Sequence, residues 1–154
     1  MGKRKNFINK LHHSSKRNYL NRMNNQKVVG MKIASKYGYD YWDGKRCYGY
    51  GGYKYIPGRW QGVAKKLIKE YSLSNNSQIL DVGCGKAYLM YEIKLLLPEI
   101  KIYGFDISSY AISKSKDTVR KNLFVYDANK KFPYKNKKFD LAISLATLHN
   151  LNID

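Results

Sequence analysis

From residue 78 onward, short apolar segments alternate with segments of helical periodicity. Residues 78–83, 101–106, 122–127 and 139–145 have the pattern of strands. Residues 86–97, which end before Pro98, and residues 108–119, which begin at a capping serine, have the pattern of helices. Strands that alternate with helices of this length form right-handed βαβ units. The sequence therefore predicts an α/β fold with a Rossmann-like parallel sheet of about four strands.

The chain before the first strand has a different character. Residues 60–71 carry apolar side chains at helical spacing, which predicts one helix with one buried face. Residues 16–37 predict a basic amphipathic helix, and residues 38–59 are irregular and rich in glycine and tyrosine. We therefore divide the chain into a basic N-terminal extension, residues 1–59, and a domain that begins at residue 60 and continues to residue 154.

The predicted strands end in glycine or acidic residues. Parallel α/β sheets bind ligands outside the carboxyl ends of their strands, where the strand order reverses. The loop at residues 81–87 places Gly83 and Gly85 between a strand and a helix, which lets a ligand approach the backbone. Tyr88 stands where a dinucleotide fingerprint needs a small residue, and no Gly-Lys-Ser/Thr sequence follows. This pattern disfavours both a nicotinamide enzyme and a P-loop hydrolase.

Two further acids mark the same edge of the sheet. Asp106 ends the second strand, where a carboxylate accepts hydrogen bonds from ribose hydroxyls; the alternative is a cap for the next helix. Asp127 ends the third strand and is suited to accept from the exocyclic amine of adenine beside the Ala128 backbone; the alternative is a turn residue. Carboxylates repel a triphosphate. We therefore predict a pocket for an adenosine that carries no phosphates.

Four segments in order, residues 79–85, 102–108, 126–128 and 139–151, resemble the motifs of class I S-adenosylmethionine-dependent methyltransferases. The resemblance covers about half of the chain. It implies that Gly83 and Gly85 lie against the methionine part of S-adenosylmethionine, that Asp106 binds the ribose, that Ile107 packs on adenine, and that Leu145 lies near the methyl group. The full cofactor site that it implies is Asp81, Gly83, Cys84, Gly85, Asp106, Ile107, Asp127, Ala128 and Leu145.

Two positions near these motifs bear on the chemistry. The family commonly has glycine where this chain has Ala87, and a methyl group there narrows the loop. Methyl transfer is an in-line displacement, so the protein mainly aligns donor and acceptor, and a general base is needed only when the acceptor must lose a proton early. His149, just beyond the fourth strand, is the candidate base; the alternative is a residue that only packs or caps.

The segment at residues 47–60 combines five tyrosine or tryptophan rings with four glycines. A surface for stacking nucleic-acid bases needs basic residues among the rings, and residues 48–53 contain none. A flexible linker does not explain the turn that delivers Trp60 into a helix. The segment resembles one that precedes the first motif in a type 11-like subgroup of methyltransferases associated with sugar metabolism. We predict a lid over the cofactor or substrate, formed by Tyr48, Tyr50, Tyr53, Arg59 and Trp60; the alternative is packing alone.

The chain has a formal charge of +18, and its first 39 residues contain ten Lys or Arg and no acid. A basic surface attracts RNA, but scattered lysines are also common on solvated surfaces. The acceptor that we predict is therefore a small molecule such as a sugar, with RNA or protein as the alternative. A third possibility is an inactive fragment, because a complete enzyme of this class continues through three more strands. We expect either a C-terminally truncated chain or a sheet completed by another chain.

The apolar segments, the N-terminus and the cysteines of the sequence bear on the cellular compartment of the protein. No segment approaches eighteen apolar residues, and the basic N-terminus is not followed by an apolar run, so we predict neither a membrane span nor a secretory signal. The two cysteines, Cys47 and Cys84, have neither disulfide nor metal-ligand spacing, and we predict no metal site. These features favour a cytoplasmic protein.

Overall fold

The structure is a computed structural model that describes residues 5–8, 27–136 and 138–151. Four strands form one parallel sheet: β1 (Gln78–Val82), β2 (Lys101–Asp106), β3 (Leu123–Val125) and β4 (Leu141–Ile143). Their order across the sheet is β3-β2-β1-β4. The predicted Rossmann-like α/β class is confirmed. The third and fourth strands are shorter than predicted.

The register brings the carboxyl ends of all four strands to one edge. Val82 pairs with Phe105, Asp106 pairs with Val125, and Asp81 pairs with Ile143. The chain first runs from β1 outward to β3 and then crosses to the other side of β1 to form β4. The strand order therefore reverses between β1 and β4, which is where this type of sheet opens a crevice.

The helices precede the sheet or connect its strands. They are α1 (Lys27–Ala34), α2 (Tyr39–Trp42), α3 (Gln61–Glu70), α4 (Tyr88–Leu96), α5 (Ser109–Ser113) and α6 (Asp117–Arg120), and a 3-10 turn (Leu148–Asn150) follows β4. Ser108 caps α5 as predicted, because its side chain accepts a hydrogen bond from Ala111 N. The single helix predicted for residues 108–119 is wrong. Lys116 has extended backbone, φ −70° and ψ 141°, which separates α5 from α6.

The two faces of the sheet are covered differently. On one face α3 and α4 pack together, and their buried side chains form a cluster with Ile79, Ile102 and Leu123 of the strands. On the other face Tyr103, Phe105 and Phe124 contact aromatic residues of the loop between β3 and β4. Successive strand residues alternate between these faces, so the helices and the aromatic loop pack on opposite sides.

The extension is described from residue 27. The predicted helix over residues 16–37 is seen as α1, and its part before Lys27 lies outside the described residues. No residue of α1 is buried, so the described part of this helix does not bury an apolar face. Residues 38–60, in contrast, pack onto the domain through Trp42, which is buried, and through hydrogen bonds to α4 and α5. The boundary at residue 60 remains a prediction.

Candidate cofactor site

A cavity of about 190 Å³ opens at the carboxyl edge of the sheet. Its lining includes six of the nine residues that were predicted to bind the cofactor: Gly83, Asp106, Ile107, Asp127, Ala128 and Leu145. They come from the ends of four different strands, and the sheet register brings them together. The other three predicted residues, Asp81, Cys84 and Gly85, lie outside this lining. The binding role of each residue remains a prediction.

The loop after β1 requires glycine at two positions. Gly83 has φ 74° and Gly85 has φ 53°, which is the left-handed region that other residues rarely adopt. A Cβ atom at Gly83 would collide with the Thr147 side chain, and one at Gly85 would lie 2.6 Å from the Trp42 ring. The backbone N–H groups of Gly83 and Cys84 both donate to Phe105 O, at 2.9 and 3.1 Å. The loop is thus held against the end of β2.

Ala87, where the family commonly has glycine, also has left-handed backbone, with φ 53° and ψ 34°. Its methyl group is buried in the core cluster and is not part of the cavity lining. In this structure the methyl group therefore does not narrow the cavity, and the predicted effect on the loop remains a prediction. The left-handed backbone of Ala87 carries a strain energy, which is of order 1 kcal/mol for a non-glycine residue.

Backbone groups from two loops hold the Asp106 carboxylate. Its Oδ2 accepts a hydrogen bond from Gly85 N at 2.7 Å, and its Oδ1 accepts one from Ser108 N at 2.8 Å. Burial raises the pKa of this carboxyl group, and the two backbone hydrogen bonds oppose that shift. Each oxygen of a carboxylate can accept a second hydrogen bond. Asp106 is therefore suited to accept from two neighbouring hydroxyl groups of a ligand in the cavity.

Asp81 is buried and Cys84 is partly buried, and neither lines the cavity. Burial, together with the nearby charge of Asp106, raises the pKa of Asp81 to about 7. Burial also raises the pKa of the Cys84 thiol well above its usual value. A thiol that stays protonated is a poor nucleophile. Cys84 lies within the glycine loop and Asp81 lies in β1, which leads into it, and a cofactor-binding role for either residue remains a prediction.

The cavity lining includes both an apolar and an acidic side chain from the ends of neighbouring strands, Ile107 and Asp127. The Ile107 side chain lines the cavity and is 49% exposed, an apolar surface that a flat ring can cover. Asp127 is held in a turn, where its Oδ1 accepts from Asn129 N at 2.9 Å and from Asn129 Nδ2 at 3.0 Å. Apolar and hydrogen-bonding groups at one end of a pocket match the face and the edge of a purine.

Three lining residues from the extension were not predicted from the sequence: Tyr37, Tyr41 and Trp42. Trp42 stacks on Tyr50 with ring centroids 5.0 Å apart and an interplanar angle of 3°, and Tyr41 meets Tyr50 edge to face at 5.5 Å. Burial and then the neighbouring Tyr50, Tyr37 and Asp106 raise the pKa of Tyr41 to about 12, so its hydroxyl stays neutral. Their aromatic character was the only available signal, because the segment has no periodicity.

Of the predicted lid residues, only Tyr50 lines the cavity. Tyr53 stacks on Tyr88 instead, with ring centroids 5.2 Å apart, and Trp60 packs against the core cluster. Tyr48 is partly buried away from the lining, and Arg59 is exposed. The structure therefore does not bring Tyr48, Tyr53, Arg59 or Trp60 to the cavity. A lid role for these four residues remains a prediction.

The candidate base is also outside the lining. His149 is exposed on the 3-10 turn, whereas its neighbours Asn150 and Leu151 line the cavity. Its catalytic role remains a prediction, without support from its position in this structure. Among residues 5–8, 27–136 and 138–151 there is no group of three or more His, Cys, Asp or Glu side chains that could hold a metal ion. Within the same ranges no helix has the length and apolar character needed to cross a membrane.

The fold and the cavity together define a class of protein. A parallel sheet of order β3-β2-β1-β4, a glycine loop after β1 and a hydrogen-bonded acid at the end of β2 are the features of a Rossmann-like nucleoside-binding domain. A family model described as a methyltransferase domain matches residues 73–153, which is more than half of the chain. The chain belongs to this family of S-adenosylmethionine-dependent class I methyltransferases, and the resemblance found in the sequence is confirmed.

Curated relatives agree with this assignment. The ribosomal RNA small subunit methyltransferase C of Buchnera aphidicola subsp. Acyrthosiphon pisum is 32% identical over an alignment of 93 residues, and the match covers 56% of this chain and 26% of that protein. The malonyl-[acyl-carrier protein] O-methyltransferase of Bacillus anthracis is 31% identical over 88 residues, which are 56% of this chain and 32% of that protein. The chain thus spans about a quarter to a third of the length of these relatives.

Solved structures include similar chains. One is a methyltransferase from Geobacter sulfurreducens, whose crystal structure is a complex with S-adenosyl-L-homocysteine. It is 16% identical with a TM-score of 0.44, and the match covers 55% of this chain and 35% of that chain.

Proposed function

We propose that the chain binds S-adenosylmethionine in the cavity at the carboxyl edge of the sheet and takes part in methyl transfer to a small molecule, such as a sugar. The observation that carries the proposal is that six of the residues predicted to bind the cofactor, which come from four separate segments of the chain, line one cavity. The residues present also fit the cofactor. Asp106 offers paired acceptors for ribose hydroxyls, Ile107 offers an apolar surface for adenine, and Gly83 lines the same cavity.

The bound cofactor supplies an electrophilic methyl carbon on a positively charged sulfur. The residues of this chain then have three tasks: to hold the nucleoside, to align the donor and to keep water away. Asp106 and Asp127 face the cavity with negative charge, which favours a cationic ligand over a nucleotide phosphate. We assign Leu145, which lines the cavity after β4, to the methyl end of the site.

RNA or protein is the alternative acceptor, and the charge of +18 favours it. The name of the Buchnera relative, a ribosomal RNA methyltransferase, points the same way. The cavity itself favours a small molecule, because its lining among the described residues contains Asp106 and Asp127 but no lysine or arginine. Four aromatic residues of the extension also wall the cavity off on one side. We therefore place RNA second among the possible acceptors.

We also propose that the cytoplasm is the compartment of this protein.

Calorimetric titration with S-adenosylhomocysteine tests the proposed cofactor site. We expect one site per chain, with adenosine as a weaker competitor, since the nucleoside contacts carry part of the affinity. The absence of any heat of binding would contradict the proposal and would favour an inactive fragment.

An RNA gel shift across a salt series tests the alternative acceptor. Binding that is strong and falls steeply with salt would move RNA ahead of a small molecule.

We also propose that Tyr50 forms part of the lid over the cofactor. Replacing Tyr50 by alanine is expected to weaken S-adenosylhomocysteine binding by about tenfold, because an aromatic contact contributes about 0.5–1.5 kcal/mol and a tenfold change is about 1.4 kcal/mol. The control is Tyr71→Ala, since Tyr71 has a similar exposure, 46% against 38% for Tyr50, but lies outside the cavity lining. Equal affinities of the two variants in calorimetry would leave Tyr50 with a packing role only.

A further inference from the structure

Two buried or partly buried acids attach residues 38–60 to the domain. Glu92 of α4 accepts hydrogen bonds on Oε1 from Tyr55 OH and from Gly58 N, both at 2.9 Å. Asp43, which directly follows α2, makes the other attachment. The two acids hold neighbouring parts of the same segment, but only Asp43 is joined to the glycine loop.

Asp43 binds three groups of the domain and the segment. Lys86 Nζ lies 2.7 Å from both carboxylate oxygens, Tyr110 OH donates to Oδ2 at 2.7 Å, and Tyr53 N donates to Oδ1 at 3.1 Å. We call these four residues the Asp43 cluster. The Lys86 side chain is only 3% exposed, and its Nζ donates in addition to Tyr53 O at 2.7 Å. A buried ammonium needs such a partner, because an unpaired charge in this position is very costly.

The Asp43 cluster is continuous with the wall of the cavity. Lys86 follows Gly85 directly, so its ion pair fixes the end of the glycine loop. Trp42 precedes Asp43 directly, and its ring lies over Gly85 while its indole N–H donates to Ser108 Oγ at 2.9 Å. Ser108 and Gly85 are also the residues whose backbone N–H groups hold Asp106. One acid of the extension is therefore linked to both loops that position the ribose-binding carboxylate.

We propose that Asp43 is a positioning residue for the cofactor site. By pairing with Lys86 and Tyr110, it holds Trp42 against Gly85 and so keeps the glycine loop in the shape that places the Asp106 acceptors in the cavity. The inference rests on the proposed function. It goes beyond it by making the extension a working part of the cofactor site, with its effect transmitted through a residue that does not line the cavity.

The matched pair of variants is Asp43→Asn and Glu92→Gln. Both exchange an acid for its amide in an anchor of the same segment, but only the first is joined to the glycine loop. We expect Asp43→Asn to weaken S-adenosylhomocysteine binding by about tenfold or more, and Glu92→Gln to change it by about twofold or less, since a site loses affinity when its support moves by more than about 0.5 Å. Calorimetry is done well below the unfolding temperature of each protein.

Fluorescence of Trp42 gives a readout that does not depend on the cofactor. The chain has two tryptophans, so a Trp60→Phe background leaves Trp42 as the emitter. In this background Asp43→Asn is expected to shift the emission to longer wavelength, because Trp42 leaves its buried position on Gly85, and Glu92→Gln is expected to leave the emission unchanged. If Asp43→Asn does not fold, Tyr110→Phe removes one hydrogen bond to Asp43 without stranding a charge. It is then expected to weaken binding by about threefold.

Different results would contradict the proposed cofactor binding and the positioning role of Asp43. A parent chain that does not bind S-adenosylhomocysteine contradicts the proposed function, while the emission shift still reports whether Asp43 positions Trp42. A parent chain that binds, with equal losses in Asp43→Asn and Glu92→Gln, overturns the positioning role. Unchanged Trp42 emission in Asp43→Asn, or in Tyr110→Phe if that variant has to be used, overturns it as well.

Discussion

Replacing Asp106 by asparagine is expected to weaken the binding of S-adenosylhomocysteine by about 100-fold. The carboxylate accepts from two backbone N–H groups and presents further acceptor sites to the cavity, whereas an amide has one acceptor oxygen and turns its NH2 group toward a donor. Hydrogen bonds to a charged group contribute about 1.5–3 kcal/mol each, so the loss of two corresponds to about 3 kcal/mol or more. Calorimetry with the parent chain and the variant measures the ratio of dissociation constants.

Asp140→Asn is the matched control for this experiment. Asp140 Oδ2 also accepts a hydrogen bond from a backbone group, Gln78 N at 2.6 Å, but it does so at the start of β1, at the opposite end of the sheet from the cavity. Its replacement is expected to leave the affinity unchanged. Should Asp106→Asn keep the parental affinity within about threefold, the ribose is held by other groups and the assignment of Asp106 is wrong.

The second large effect concerns the dependence of stability on pH. The folded-state pKa of Asp81 is about 7, while an unfolded aspartate has a pKa near 3.9. The folded protein therefore binds this proton more tightly than the unfolded chain does. Between these two pKa values, lowering the pH stabilises the fold, and from pH 8 to pH 5.5 the gain from this group is about 2 kcal/mol.

Urea unfolding at pH 5.5 and pH 8 measures this contribution when the parent chain is compared with Asp81→Asn. The variant has no carboxylate to protonate at this position, so we expect it to lack the gain in stability of about 2 kcal/mol between pH 8 and pH 5.5. We also expect it to be more stable than the parent at pH 8. Self-repulsion of the +18 chain and the titration of other acids act on both proteins, and the difference between them isolates Asp81. Equal pH dependence of the two proteins would show that Asp81 does not carry the buried proton.

Local signals in the sequence were sufficient to predict which residues at the strand ends lie together at one edge of the sheet. Short apolar runs that end in glycine or aspartate predicted the strands, and parallel pairing then brought Gly83, Asp106, Asp127 and Leu145 to one edge. This inference needs only the direction of each strand, because parallel strands place their carboxyl ends together. Ser108 was recognised as a helix cap for a similar reason, since capping is decided by residues close in the chain.

Contacts between distant segments could not be read in the same way. Tyr41 and Trp42 lie in a segment without periodicity, and nothing in their spacing indicates that they meet Tyr50 and Gly85. Arg59 and Trp60 stand next to each other in the chain, yet one is exposed and the other packs against the core. The side of a loop that faces a cavity depends on the surface to which the loop is docked.

The sequence by itself determined the α/β class, the strand edge at which the cavity opens and the acids at that edge, because these follow from periodicity and from residues at strand ends. Only the tertiary structure decided which parts of the extension reach the cavity. Asp43 and Lys86 are far apart in the chain and no local pattern joins them, and their ion pair exists because a buried ammonium must find a carboxylate. We infer that this pairing, rather than any local pattern, holds the Trp42 ring over Gly85.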